Sequence, residues 1–286
     1  MKNIFNTPIL LICFKRYDKT LEVLNSIKKI HPQKLYVAID GGRNEIEQKE
    51  VNKVCTLFER LDDIDVRIRK SDINQGCKYG VYNAINWFFE NEEEGIILED
   101  DIVPYQCFYL YCEELLKKYR NDSRIACISG WSYFNSIVPN DYPYSYYFSH
   151  CQSSWGWATW RDRWQLMDLE LKEVTFSELE DNLKKDNVSP RIIEYWKRIY
   201  NHRISFDSAW DYQFLFSVLL KHNKYCIQPI ERFVKNIGGM DGTHPTNINQ
   251  NISKVVDESF TMKHPKDFFY DEKIDWVRHL NTKEYV

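Results

Sequence analysis

The sequence predicts an α/β fold in which a mostly parallel, Rossmann-like sheet is flanked by helices and followed by a mixed, aromatic-rich C-terminal subdomain. Three observations predict it. Apolar runs of strand length alternate with segments of helical period through the first half. The run Ile9 to Phe14 is apolar throughout, as expected of a central strand buried on both faces. At 286 residues and 43% hydrophobic content, the chain is long and apolar enough to bury a substantial core.

Taken in order, Ile9 to Phe14 is the first strand. Leu21, Leu24, Ile27 and Ile30 then recur at helical spacing, with Asp18 or Thr20 placed to cap the start. Leu35 to Ile39 is a second strand ending in Asp40-Gly41-Gly42-Arg43, followed by a polar helix over Glu45 to Leu61 and a short strand at Val66 to Ile68. A helix over Tyr79 to Phe89 leads to the strand Gly95 to Leu98, then a helix over Tyr105 to Tyr119 and the strand Ile125 to Ser129. Beyond Trp131 the chain becomes aromatic and turn-rich, with helices at Phe176 to Lys185, Arg191 to His202 and Trp210 to Leu220. The expected organisation is a ligand-binding part over 1–130, a second part over 131–250 packed on the sheet, and an extension over 251–286.

Charge and cysteine usage narrow the function. With 38 Lys and Arg against 42 Asp and Glu, no global positive field exists to hold a nucleic-acid backbone. The eight cysteines show neither a CxxC pair nor zinc-ligand spacing, so they read as small buried residues in a reducing compartment. No apolar stretch approaches the roughly 20 residues needed to cross a bilayer. A cytoplasmic location is therefore expected, with peripheral contact to the inner face of the plasma membrane left open by the 15% aromatic content.

The strongest chemical signal is Glu99-Asp100-Asp101, three carboxylates directly after a buried strand with no base beside them in the sequence. Ligands of open α/β sheets bind beyond the carboxyl ends of the strands, and crowded carboxylates with only oxygen donors suit Mg²⁺ or Mn²⁺. Phe14 and Arg16 end the first strand, and Asp40 and Gly41 the second. An aromatic to stack on a base, an Asp to accept from a base or ribose, and a guanidinium for phosphate make the mixture a nucleotide needs. Asn74, Gly76 and Lys78 open a helix whose N–H groups can receive an anion. Trp155 and Trp157 flank Gly156 in a segment expected to lie against a sugar, whereas Trp160 and Trp164 are expected in the core. Gly238 to His244 is a glycine-rich run expected to fold over the ligand, with His244 a candidate for metal or diphosphate.

In that order the motifs resemble the nucleotide-sugar glycosyltransferases of the GT-A fold, most nearly the inverting N-acetylglucosaminyltransferase I type and bacterial surface-polysaccharide transferases. The resemblance runs from Ile9 to about His244 and includes Ser154-Trp155-Gly156-Trp157 and Trp210-Asp211. It implies donor binding by Arg16 and Asp40, metal coordination by Asp101, and ribose or sugar contacts from Glu99 and Asp100. An inverting transfer also needs a base on the acceptor hydroxyl. Asp211 is the candidate and Asp207 the reserve, because the family carries two adjacent acids where this chain has Asp211-Tyr212. The expectation is a metal-dependent glycosyltransferase moving a sugar from a nucleoside diphosphate donor, UDP foremost, to a glycan or lipid-linked acceptor. A sugar-1-phosphate nucleotidyltransferase and a non-catalytic glycan-binding protein are the alternatives.

Overall fold

The structure is a computed structural model that describes residues 4–59, 61, 63–132, 142–202, 208–239, 254–257 and 259–275. Among the described residues, ten strands and eight helices carry the fold: β1 (Ile9–Cys13), α1 (Tyr17–Lys29), β2 (Lys34–Ile39), α2 (Glu45–Thr56), β3 (Asp65–Lys70), α3 (Gly76–Asn91), β4 (Glu94–Glu99), β5 (Ile102–Pro104), α4 (Gln106–Tyr119), β6 (Ile125–Ser129), β7 (Tyr146–Ser149), β8 (Trp157–Trp160), α5 (Arg161–Trp164), α6 (Phe176–Lys185), α7 (Pro190–Asn201), α8 (Asp211–Phe214), β9 (Tyr225–Pro229) and β10 (Val234–Asn236). A π-helical turn, Leu215–Leu220, continues α8.

The expected α/β architecture is present. Eight strands form one sheet in the order β3-β2-β1-β4-β8-β6-β9-β7. The four strands β3, β2, β1 and β4 run parallel, so their carboxyl ends lie along one edge. β8 is antiparallel to both of its neighbours, β4 and β6. The stretch expected to pack onto the sheet therefore contributes β7, β8 and β9 to it. These strands are short, and their pairing with distant partners leaves no local period in the sequence. A separate two-stranded sheet pairs β5 with β10.

Away from the exposed edge strand β3, both faces of the sheet are buried, which explains the unbroken apolar strand runs. Ile9, Leu11 and Cys13 of β1 join one core with α1, α2 and α4, while Leu10 faces the opposite core built on α3 and the helices of the second half. Asn44 caps α2 by accepting from the Glu47 N–H at 3.0 Å. The cap expected for α1 differs: Arg16 takes the cap position, and Thr20, inside the helix, donates its hydroxyl to the Arg16 carbonyl at 2.7 Å. All eight cysteines are free thiols, six of them buried. No helix among the described residues is long and apolar enough to cross a membrane.

Candidate active site

The parallel strand ends open onto a cavity of about 580 Å³. β1 delivers Phe14, Lys15 and Arg16, β2 delivers Asp40 and Arg43, and β3 delivers Arg69 and Ser71, with Asn74 to Ala84 of α3 and its approach closing one side. A second pocket of about 140 Å³ is lined by Asp101, Ser154, Trp155, Asp211 and Asn236. Arg16, Cys77 and Glu99 line both, so the two spaces meet at the end of β4.

Asp40 is held as a structural anchor. Its carboxylate accepts from the Gly41, Gln75 and Gly76 N–H groups and from the Asn74 amide, all at 2.9 to 3.1 Å. The anion expected at the start of α3 is thus the protein's own Asp40, and the Asn74 and Gly76 contacts to it replace those expected to a ligand. Burial raises the Asp40 carboxyl above its ordinary value against the pull of those N–H groups. Gly41 is constrained by the same turn, because a Cβ there would stand 2.6 Å from the Ile73 backbone.

The carboxylate run is not left without a base. Arg16 donates Nε to Asp100 at 3.1 Å and a terminal nitrogen to Asp101 at 2.8 Å, and its other terminal nitrogen bonds Asp100 as well. Asp100 also accepts the Phe14 N–H at 3.2 Å and is only 3% exposed. Asp100 borders the large cavity, and its hydrogen bonds to Phe14 and Arg16 also make it a brace on β1. The base was invisible in the local sequence because parallel pairing of β1 with β4 brings it across 84 residues. Asp101 lies against Gly238, where an added Cβ would approach its carboxylate to 2.4 Å.

Glu99 is paired through its backbone in β4, and its carboxyl accepts no side-chain hydrogen bond from a described residue. Burial, then Asp101 and Asp100, push its carboxyl up to about 8, while Arg16 pulls the other way. The Cys77 thiol is pushed up to about 12 by burial and then by Glu99, Asp211 and Asp101. Between the ordinary value of 4.5 and about 8, folded Glu99 holds a proton that the unfolded chain has lost, so stability falls as pH rises through that window. In EDTA, the thermal midpoint is expected to drop several degrees from about pH 5 to about pH 8.5. Glu99→Gln should flatten most of that slope, and an unchanged slope would refute the assignment.

The remaining expected residues divide. Phe14 faces the large cavity, with the Lys15 ammonium 5.5 Å and the Arg43 guanidinium 5.9 Å from its ring centre. Lys78 lines the cavity but lies 3.3 Å from the Glu170 carboxylate. Trp155 lines the small pocket and meets Trp131 edge-on at 4.6 Å. Trp157 is a correction: it is 2% exposed, stacks on Trp210 at 5.4 Å and packs against Phe214, so no ring face is left for a sugar. Trp160 and Trp164 are core residues. Gly156 is corrected as well. Its φ is +64°, and a Cβ there would lie 2.8 Å from Val234, so packing beside β10 requires glycine rather than approach of a ligand.

Asp211 opens α8, accepts the Tyr212 N–H at 3.1 Å and faces the small pocket. Asp207 and His244 lie outside the described residues. Sequence reasoning passed over Arg69 and Asn236, which line the two spaces without belonging to any motif, and gave no role to Ser154, which lines the smaller one.

Among the described residues no three His, Cys, Asp or Glu side chains gather closely enough to hold a metal by themselves. The donor set fits an ion that asks for less. Mg²⁺ and Mn²⁺ take one or two carboxylates and complete their shell with water and phosphate, and Asp101 presents such a carboxylate to the small pocket.

No protein-family model matches the chain, and no curated protein matches it by sequence. Solved structures share a distant likeness. A mannosyltransferase from Pyrobaculum calidifontis, in complex with GDP-Man and Mn²⁺, aligns with 56% of this chain and 46% of its own at 12% identity and a TM-score of 0.39. The inositol-1-phosphate CTP transferase from T. maritima aligns with 79% of this chain and 85% of its own at 7% identity and a TM-score of 0.38. HddC from Yersinia pseudotuberculosis aligns with 55% of this chain and 78% of its own at 7% identity and a TM-score of 0.34. The chain spans less than half the length of the mannosyltransferase. At these scores the likenesses carry no argument about activity, which rests on the residues of the site.

Proposed function

We propose that the protein is a divalent-metal-dependent inverting glycosyltransferase that moves a sugar from a nucleoside diphosphate, UDP foremost, to a hydroxyl of a glycan or lipid-linked acceptor. The observation that carries the reading is the pair of spaces meeting at Arg16 and Glu99. The larger is lined by cations and aromatic groups, and the smaller holds Asp211 from the second half of the chain. The nucleotide occupies the larger space, with the Phe14 ring toward the base and Arg43 and Arg69 among the cations that meet its charge. Asp40 keeps β2 and α3 in place around it.

The scissile bond then lies where the spaces join. Asp211 accepts the acceptor's hydroxyl proton as the oxygen attacks the anomeric carbon. The bond between that carbon and the diphosphate oxygen breaks, and the electron pair leaves on the diphosphate. Arg16 sits at the junction and sets positive charge beside the leaving group. When bound, a divalent cation held by Asp101 supplies further charge neutralisation there. Trp155 offers an apolar surface to a sugar ring.

The test is a thermal-shift screen of UDP-, GDP-, CMP- and dTDP-sugars, each with Mn²⁺, Mg²⁺ or EDTA, since a ligand of the native state raises its apparent stability. A metal-dependent rise with UDP-sugars is expected, abolished by Asp101→Ala. Pyrophosphate release from a nucleoside triphosphate and a sugar phosphate would instead establish a nucleotidyltransferase. Glycan binding that persists in EDTA, with no donor consumed, would establish a non-catalytic binder.

A further inference from the structure

We infer that the large cavity selects the base of its nucleotide by the direction of the hydrogen bonds offered at the β3 end, through Ser71 and Asn83. The base it takes presents a carbonyl oxygen beside a ring N–H, as uracil and guanine do. The base it refuses presents an amino group beside a bare ring nitrogen, as cytosine and adenine do. This rests on the nucleoside diphosphate reading above and concerns what that site recognises. Three side chains of the cavity wall carry it. Gln75 donates Nε2 to the Ser71 hydroxyl oxygen at 2.7 Å, and its Oε1 accepts from Asn83 Nδ2 at 2.9 Å. One amide group thus sets the direction of both neighbours. The Ser71 oxygen is already an acceptor and no described residue takes its proton, so it offers the cavity a donor. The Asn83 amide is fixed by its bond to Gln75, and Oδ1, with no partner among the described residues, is the atom left to accept. Arg69 ties the two elements together at the same level, donating Nη1 to the Asn83 carbonyl at 2.9 Å.

The place suits a base. Ser71 follows β3 directly, and its N–H donates to the Ile39 carbonyl at the end of β2 at 2.9 Å. In the sheet β3 stands three strands from β4, about 14 Å at the usual strand spacing. With the diphosphate at the end of β4 and the Phe14 ring between them at the end of β1, an extended nucleotide brings the edge of its base to Ser71 and Asn83. A cavity of about 580 Å³ has room for one ring or two, so size does not choose the base and hydrogen-bond direction does. Uracil gives O4 to the Ser71 hydroxyl and N3–H to Asn83 Oδ1, and guanine gives O6 and N1–H in the same order. Cytosine and adenine reverse both positions. Their amino group reaches the second lone pair of Ser71 only when the hydroxyl proton turns away from the ligand, and their ring nitrogen meets Asn83 Oδ1 lone pair to lone pair. Polar groups left unpaired in a half-buried site cost affinity.

The experiment is a calorimetric titration of the full chain with UDP, CDP, GDP and ADP in Mg²⁺. UDP and CDP differ only at the edge in question. UDP is expected to bind at least about tenfold more tightly than CDP, and GDP more tightly than ADP; whichever of UDP and GDP binds better identifies the ring size. Gln75→Glu tests the direction itself. A carboxylate accepts from both neighbours and draws the Ser71 proton away from the cavity, so the gap between UDP and CDP should narrow severalfold, whatever the added charge does to all four affinities together. Equal or reversed order within a pair that binds, or a gap that Gln75→Glu leaves untouched, overturns the inference, while binding of any of the four keeps the nucleotide reading. Binding of none overturns both. If Gln75→Glu fails to fold, the comparison of UDP with CDP on the unsubstituted chain still decides.

Discussion

Asp211→Asn is expected to cut turnover by roughly 10²-fold or more while leaving donor affinity within about twofold. The substitution keeps the size and one oxygen of the side chain, so the acceptance from the Tyr212 N–H at the start of α8 can persist. It removes the carboxylate that takes the acceptor's proton. Asp211 lines the small pocket but not the large one, which is why the donor's nucleotide should not register its loss. The measurement is steady-state kinetics with donor and acceptor varied separately, alongside direct titration of the donor. A fall in donor affinity as large as the fall in turnover would show that Asp211 binds the donor. Unchanged turnover would move the base to another residue, with Asp207 next to be substituted.

Arg16→Ala is expected to lower stability by about 3–5 kcal/mol, because breaking a buried ion pair from one side leaves the other charge uncompensated. Asp100 is 3% exposed and takes two of the Arg16 nitrogens, and the same guanidinium reaches Asp101. Without it, three successive carboxyl groups at the end of β4 repel one another with no cation among them. Arg16→Lys should cost less, since it keeps the charge but loses the fork that spans two carboxylates. Urea denaturation of both variants gives the comparison. A midpoint for Arg16→Ala close to that of the unsubstituted protein would mean that water or a solution cation replaces the guanidinium. If Arg16→Ala fails to fold, Arg16→Lys still reports whether the fork geometry matters.

The two results separate stability from chemistry within a few ångströms of one strand end. Arg16 is expected to act first on the folded state, through Asp100, and then on the leaving group. Asp211 is expected to act on chemistry alone. The three acids divide by position: the middle one is tied back to β1 at the border of the large cavity, while Glu99 and Asp101 line the small pocket.

How much of this was legible in the sequence follows from the range of the interactions involved. Continuous apolar runs marked β1, β2, β4 and β6 because a strand buried on both faces needs no partner information to be recognised. The helices of α1, α4, α6 and α7 showed their period for the same local reason. Parallel strand ends meeting at one edge follow from the alternation of elements, and with them the grouping of Phe14, Arg16, Asp40 and Glu99 around one cavity. Three-dimensional pairing decided the rest. Whether Trp157 faced a sugar or the core depended on which strands flank β8, and these lie at residues 94–99 and 125–129. That Asp100 pairs with Arg16 depended on the register of β1 against β4. Residue type and local period determined the elements and the chemistry available to them. Only the long-range packing decided which of those groups neutralise one another and which remain turned toward the cavity, because burial and charge pairing depend on neighbours that lie far apart along the chain.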